Sequence, residues 1–176
     1  MSKAQHTTGV FRPGWTSTMA QKTNRKFATI KTGLHLLEIV SPKLAGRVAF
    51  KMFLTPNHRP VTAAEQRILD QAHHVVIYHG EDRLSGYVWG NTGPTVLLVH
   101  GWEGSAGSMT SLVAPLRAQG YRIVAFDAPA HGISRARQTN LMDYGRALRE
   151  AIEQLGPVFA IVAHSTGRLS DAVSSV

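Results

Sequence analysis

The chain has 176 residues and 43% hydrophobic content, enough for one domain with a sizeable core or a domain with an appendage, and wholesale disorder is not expected. Without cysteine it can have neither disulfides nor thiolate metal sites; it lacks an eighteen-residue apolar run and a secretory signal, so the expected location is cytoplasmic. The formal charge of +8 is concentrated at one end, since residues 1–60 carry ten Lys/Arg against Glu38 alone. Such an arm attracts phosphates or anionic lipid, but aromatic and basic residues do not interleave in it, so no nucleic-acid partner is expected.

Residues 1–29 are rich in Ser, Thr and Lys and include Gly9, Pro13 and Gly14, which reads as a flexible basic leader. An apolar pattern starts at Ile30–Val40, and Ser41-Pro42 restarts a helix with serine as N-cap and proline at the first helical position. Over Pro42–Leu54, Leu44, Ala45, Val48, Ala49, Met52 and Phe53 share one face, and Lys43, Arg47 and Lys51 line the other. This amphipathic helix is expected to pack on its own domain; contact of 42–54 with an anionic membrane surface is the alternative. Thr62-Ala63-Ala64-Glu65 has capping-box spacing and opens a short helix, completing a helical extension over 30–73. Two strand-like segments, Val75–Tyr78 and Gly86–Trp89, predict a hairpin.

After Pro94 the pattern becomes alternating strand and helix. The run Thr95–Val99 predicts a strand covered on both faces, and a helix follows over about Ser108–Gln119, blemished by Pro115. Arg122–Phe126 is the next strand and Asp127–Ser134 a loop. Asn140 caps a helix to Leu155 whose inward face is Leu141, Tyr144, Leu148, Ile152 and Leu155, and Val158–Ala163 is the last strand. This order predicts parallel strands joined by crossovers. The last strand runs into Ala163-His164-Ser165-Thr166-Gly167, a serine between small residues two positions either side. That is the pattern of a sharp turn that lifts a nucleophilic serine clear of a sheet, so Ser165 is the candidate nucleophile. A serine that merely caps the next helix is the bland reading of the same residues.

Three motifs thus follow three strands in order. They are His100-Gly101-Trp102-Glu103-Gly104, Asp127-Ala128-Pro129-Ala130-His131-Gly132-Ile133-Ser134, and the serine turn. Together they resemble the α/β-hydrolase superfamily, serine esterase and lipase type, over about residues 75–168. The resemblance implies an α/β fold class: a partial α/β-hydrolase fold, its mostly parallel sheet flanked by helices, with residues 74–176 as an incomplete core behind the helical extension. It implies hydrolysis of a small-molecule carboxylic ester or related acyl compound through an acyl-enzyme, with no cofactor and no metal. A serine hydroxyl needs a base, and the oxyanion formed on acyl attack needs fixed N–H donors. By position the resemblance assigns those donors to Trp102 and Thr166, with His100, Gly101, Gly104, Asp127 and His131 as supporting loop residues.

The chain departs from the family after the serine. The family places an acid and then a histidine on later loops, whereas only Arg168–Val176 follows here, with Asp171 on the nucleophile's own helix. An N-terminal portion with little or no turnover is therefore expected, and a non-catalytic binding or interaction protein that keeps the front half of the fold is the alternative. His100 and His131 occupy positions that shape loops, His164 is expected to point away from the serine, and Asp127 reads as a loop anchor. His73, His74 and His79 have no metal-ligand spacing. The last strand, left at the sheet's edge, is expected to promote self-association.

Overall fold

The structure is a computed structural model that describes residues 17–134 and 136–165. The chain divides into two compact units, Met1–Ala49 and Phe50–Val176. The first contains helix α1, Ser17–Val40, and most of helix α2, Pro42–Phe53. Helix α1 begins well before Ile30, so residues 17–29 are helical rather than a flexible leader, while Gly9, Pro13 and Gly14 lie outside the described residues. The physical reason is propensity: Ala20, Gln21, Lys22, Arg25, Lys26 and Ala28 are good helix formers, and a helix needs no apolar stripe to persist.

At the junction the Ser41 N–H donates to the Leu37 carbonyl at 2.8 Å, and the Ser41 hydroxyl accepts from the Leu44 N–H at 3.4 Å. Ala45 is the buried residue of α2. Of the face expected to pack, Ala45 is buried and Ala49 lines a groove with α1, but Leu44, Val48 and Met52 stay 47%, 36% and 43% exposed. Among the described residues no helix is long and apolar enough to cross a membrane.

The second unit is a five-stranded sheet between two helical layers. Helix α3, Ala63–Leu69, starts at a complete capping box: the Glu65 N–H donates to Thr62 Oγ1 at 3.3 Å, and the Thr62 N–H to Glu65 Oε2 at 2.7 Å. Strands β1 (His73–His79) and β2 (Asp82–Trp89) form the antiparallel hairpin, longer at both ends than its apolar runs because polar residues continue the ladder to His79↔Asp82. Strand β2 pairs antiparallel with β4 (Arg122–Phe126); β3 (Thr95–Val99) pairs parallel with β4 on one side and β5 (Ala160–Ala163) on the other. The order is β1-β2-β4-β3-β5, which leaves β5 at an edge of the described sheet.

Strand alternation decides which layer each core residue joins. Leu97, Val99, Val124 and Phe126 face helix α5 (Leu141–Leu155), packing on Tyr144, Ala147, Leu148 and Ala151. Val96, Leu98, Ile123 and Ala125 face the other layer, with Leu69, Met109 and Val113. Leu141, expected inward, is 41% exposed, and Ala147 and Ala151 are buried instead. The segment after β3 is a 3-10 helix, Ala106–Leu112, followed by helix α4, Val113–Ala118. The late start resolves the Pro115 difficulty, because its missing N–H falls in the first turn, where no intrahelical partner exists.

Candidate functional site

Parallel pairing of β3 with β5 brings the loops after both strands to the same edge. The ladder runs to its end, with the His164 N–H donating to the Val99 carbonyl at 3.0 Å. Ser165 then takes φ 56°, the left-handed region that non-glycine residues rarely occupy, and its side chain is exposed. Gly101, two residues past β3, packs directly on it. A Cβ at Gly101 would stand 2.8 Å from Ser165 Cβ and 2.9 Å from the His164 carbonyl oxygen, so only glycine admits this approach. The Gly104 N–H donates to the Gly101 carbonyl at 3.0 Å, folding 101–104 into a tight turn with Glu103 at φ 61°. His164 is exposed, and its Nδ1 lies on the same Gly101 surface as Ser165, rather than clear of it as expected. Thr166 and the segment Arg168–Val176 lie outside the described residues.

Asp127 ties the loops after β3 and β4 together. Its carboxylate accepts the Ala106 N–H at 2.7 Å and the Ile133 N–H at 3.1 Å, and Tyr87 adds a hydroxyl hydrogen bond. Burial pushes this carboxyl upward, against those donors. Burial, with the Asp127 charge beside it, pushes the Tyr87 phenol up to about 12. Gly132, at φ 53°, lies against the carboxylate, where a side chain would collide with it.

His100 is 1% exposed and fully engaged: its Nδ1 donates to the Gly101 carbonyl at 2.8 Å, and its Nε2 accepts the Ala128 N–H at 3.1 Å. Burial lowers its pKa to about 4, so at neutral pH it is an uncharged donor–acceptor bridge with no lone pair left for a serine. His131 donates through Nδ1 to the Pro129 carbonyl at 2.9 Å; its Nε2 is buried without a partner among the described residues, and burial lowers its pKa. The Trp102 ring stacks on Phe53 at 5.6 Å and meets the His131 ring edge-on at 5.2 Å.

The profile of a family described as "Alpha/beta hydrolase family" matches residues 96–167. Over these residues the chain resembles the α/β-hydrolase superfamily. A serine hydrolase-like protein of Danio rerio is 38% identical over 90 residues, 48% of this chain and 27% of that protein. An epoxide hydrolase from Vigna radiata superposes with a TM-score of 0.52 and 26% identity, covering 58% of this chain and 35% of the enzyme. A thioesterase domain from the curacin biosynthetic pathway gives 0.53 and 26%, covering 58% and 40%. The chain thus spans well under half the length of each of these relatives.

Two contributors to this site escape sequence reading. Tyr144, read as a core residue, donates its hydroxyl to the His100 carbonyl, and Phe53, read as part of an amphipathic face, stacks on Trp102. The first left a signal: a tyrosine on an apolar inward face must place its hydroxyl on some acceptor. The second left none, because nothing in a helix pattern names a distant ring.

Proposed function

We propose that the chain carries the nucleophile portion of an α/β-hydrolase-fold serine hydrolase acting on carboxylic esters or related acyl compounds. The observation that carries the reading is Ser165 held exposed at φ 56° with its Cβ against Gly101. In the proposed reaction Ser165 Oγ attacks the acyl carbon, its proton passes to a base, and the alcohol leaves with a proton. Water then releases the acid from the acyl-enzyme. The backbone N–H groups of Trp102 and Thr166 would face the oxyanion. The serine hydrolase-like relative supports a serine nucleophile, and the thioesterase neighbour supports an acyl substrate.

The base is the weak point. His100 has both nitrogens engaged, and His131 Nε2 is sealed from solvent. A polypeptide of these 176 residues should therefore turn over little ester, with only the slow residual reactivity of an activated position. That commitment of both histidines is also what favours the second reading, a non-catalytic binding or interaction protein.

A fluorophosphonate probe tests the choice. Slow labelling of the chain that disappears in Ser165→Ala supports a reactive serine. Labelling unchanged in Ser165→Ala, or no labelling of a chain shown to be folded by circular dichroism, supports the non-catalytic reading.

A further inference from the structure

Helix α2 presents two parallel rows of side chains. At about 100° per residue, positions 43, 47 and 51 form one row and 44, 48 and 52 the row beside it. The first is Lys43, Arg47 and Lys51; the second is Leu44, Val48 and Met52. The side of α2 bearing Pro42, Ala45, Gly46 and Ala49 is turned to α1 and lines a groove with Ile30 and Leu34. The apolar row is therefore flanked by α1 on one hand and by the basic row on the other. All three of its members are more than a third exposed. Among the described residues none of the three cations is in an ion pair, and no acidic residue occurs between Glu38 and Glu65.

We infer that α2 lies on an anionic lipid surface, with Leu44, Val48 and Met52 dipped past the headgroups and Lys43, Arg47 and Lys51 on the lipid phosphates. A row that needed only a protein partner would carry no requirement for the adjoining unpaired charge. A nucleic-acid site would use the basic row and leave the apolar one idle. An interface that is apolar below and anionic above uses both rows at once. A second copy of this chain is a poor occupant, because each basic row would approach another. The surrounding charge agrees in sign, since residues 1–60 hold ten Lys/Arg and one Glu. This inference does not depend on the hydrolase reading.

The test uses the full chain carrying Leu44→Trp, its emission taken as the difference from the unsubstituted chain. Vesicles of phosphatidylcholine with about a third phosphatidylglycerol should shift that emission to the blue, and pure phosphatidylcholine vesicles should leave it unmoved. Replacing Lys43, Arg47 and Lys51 together by Gln should lower vesicle affinity roughly a hundredfold, at about fivefold per cation. Val48→Ser with Met52→Ser should also weaken binding, with the charge intact. For the unsubstituted chain, raising NaCl from about 0.1 to 0.5 M should release it from the sedimented vesicles. No blue shift, or one equal on both lipid compositions, would overturn the proposal. So would a shift that grows with protein concentration without lipid, which indicates self-pairing. Duplex DNA binding that needs the three cations while the emission of the Leu44→Trp chain stays fixed would overturn it as well.

Discussion

Replacing Asp127 by Ala should unfasten the loops around Ser165, and the size of the effect follows from its partners. The carboxylate is 2% exposed and receives the Ala106 N–H at 2.7 Å, the Ile133 N–H at 3.1 Å and the Tyr87 hydroxyl. Each buried donor left without an acceptor costs about 1–3 kcal/mol. Water entering the vacated space can satisfy part of this, so three donors give an expected loss of about 4 kcal/mol. Asp127→Asn keeps one acceptor oxygen but turns an amide N–H toward a backbone N–H, and should cost about 2 kcal/mol. Tyr87→Phe removes a donor instead of the acceptor, so the Asp127→Ala/Tyr87→Phe cycle should show coupling of about 1 kcal/mol. Urea unfolding followed by tryptophan fluorescence measures all of these, with slopes expected to stay constant. The reasoning fails if Asp127→Ala and Asp127→Asn are equally stable, or if the alanine variant loses less than about 1 kcal/mol.

Other expectations follow from single contacts. Gly101→Ala drives a methyl to 2.8 Å from Ser165 Cβ, so it should cost about 1–3 kcal/mol and slow fluorophosphonate labelling; unchanged values in both would refute the close approach. His79 holds Glu150 at 2.6 Å and Asp143 at 3.0 Å, fastening β1 to α5. Burial opposes its protonation, but the two carboxylates outweigh it and raise its pKa above 6.5. The resulting stability is fully present below about pH 6.5 and fades as pH rises through the folded pKa. Asp143, whose pKa is lowered by His79 and its other donors against burial, supplies stability that fades as pH falls below about 4. His79→Gln should cost about 2 kcal/mol at about pH 6 and less at about pH 8 in urea titrations; a pH-independent loss would contradict the linkage. Phe159, 66% exposed beside edge strand β5, should promote association, and Phe159→Lys should restore a monomer by light scattering; unchanged mass would dismiss the edge.

Much of this protein is written in local sequence because its signals are local. The Thr62/Glu65 capping box, the Asn140 cap and the apolar runs of β3 and β4 act over a few neighbouring residues, and each element formed where its pattern stands. The three loop motifs could likewise be placed at strand ends, because spacing alone tells which residue follows a strand. What local pattern misread was helix α1 before Ile30, where propensity without periodicity sufficed, and the helix after β3, where Pro115 delayed the α-helical start.

Sequence by itself determined which side chains this chain can bring to a reaction and which strand each one follows. Only the tertiary structure decided that Gly101 touches Ser165, that Asp127 clasps the loop after β3, and that both nitrogens of His100 are engaged. The reason is that the clasp and the serine contact join residues 21 and 64 positions apart through strand pairing, and pairing depends on buried area summed over the whole sheet.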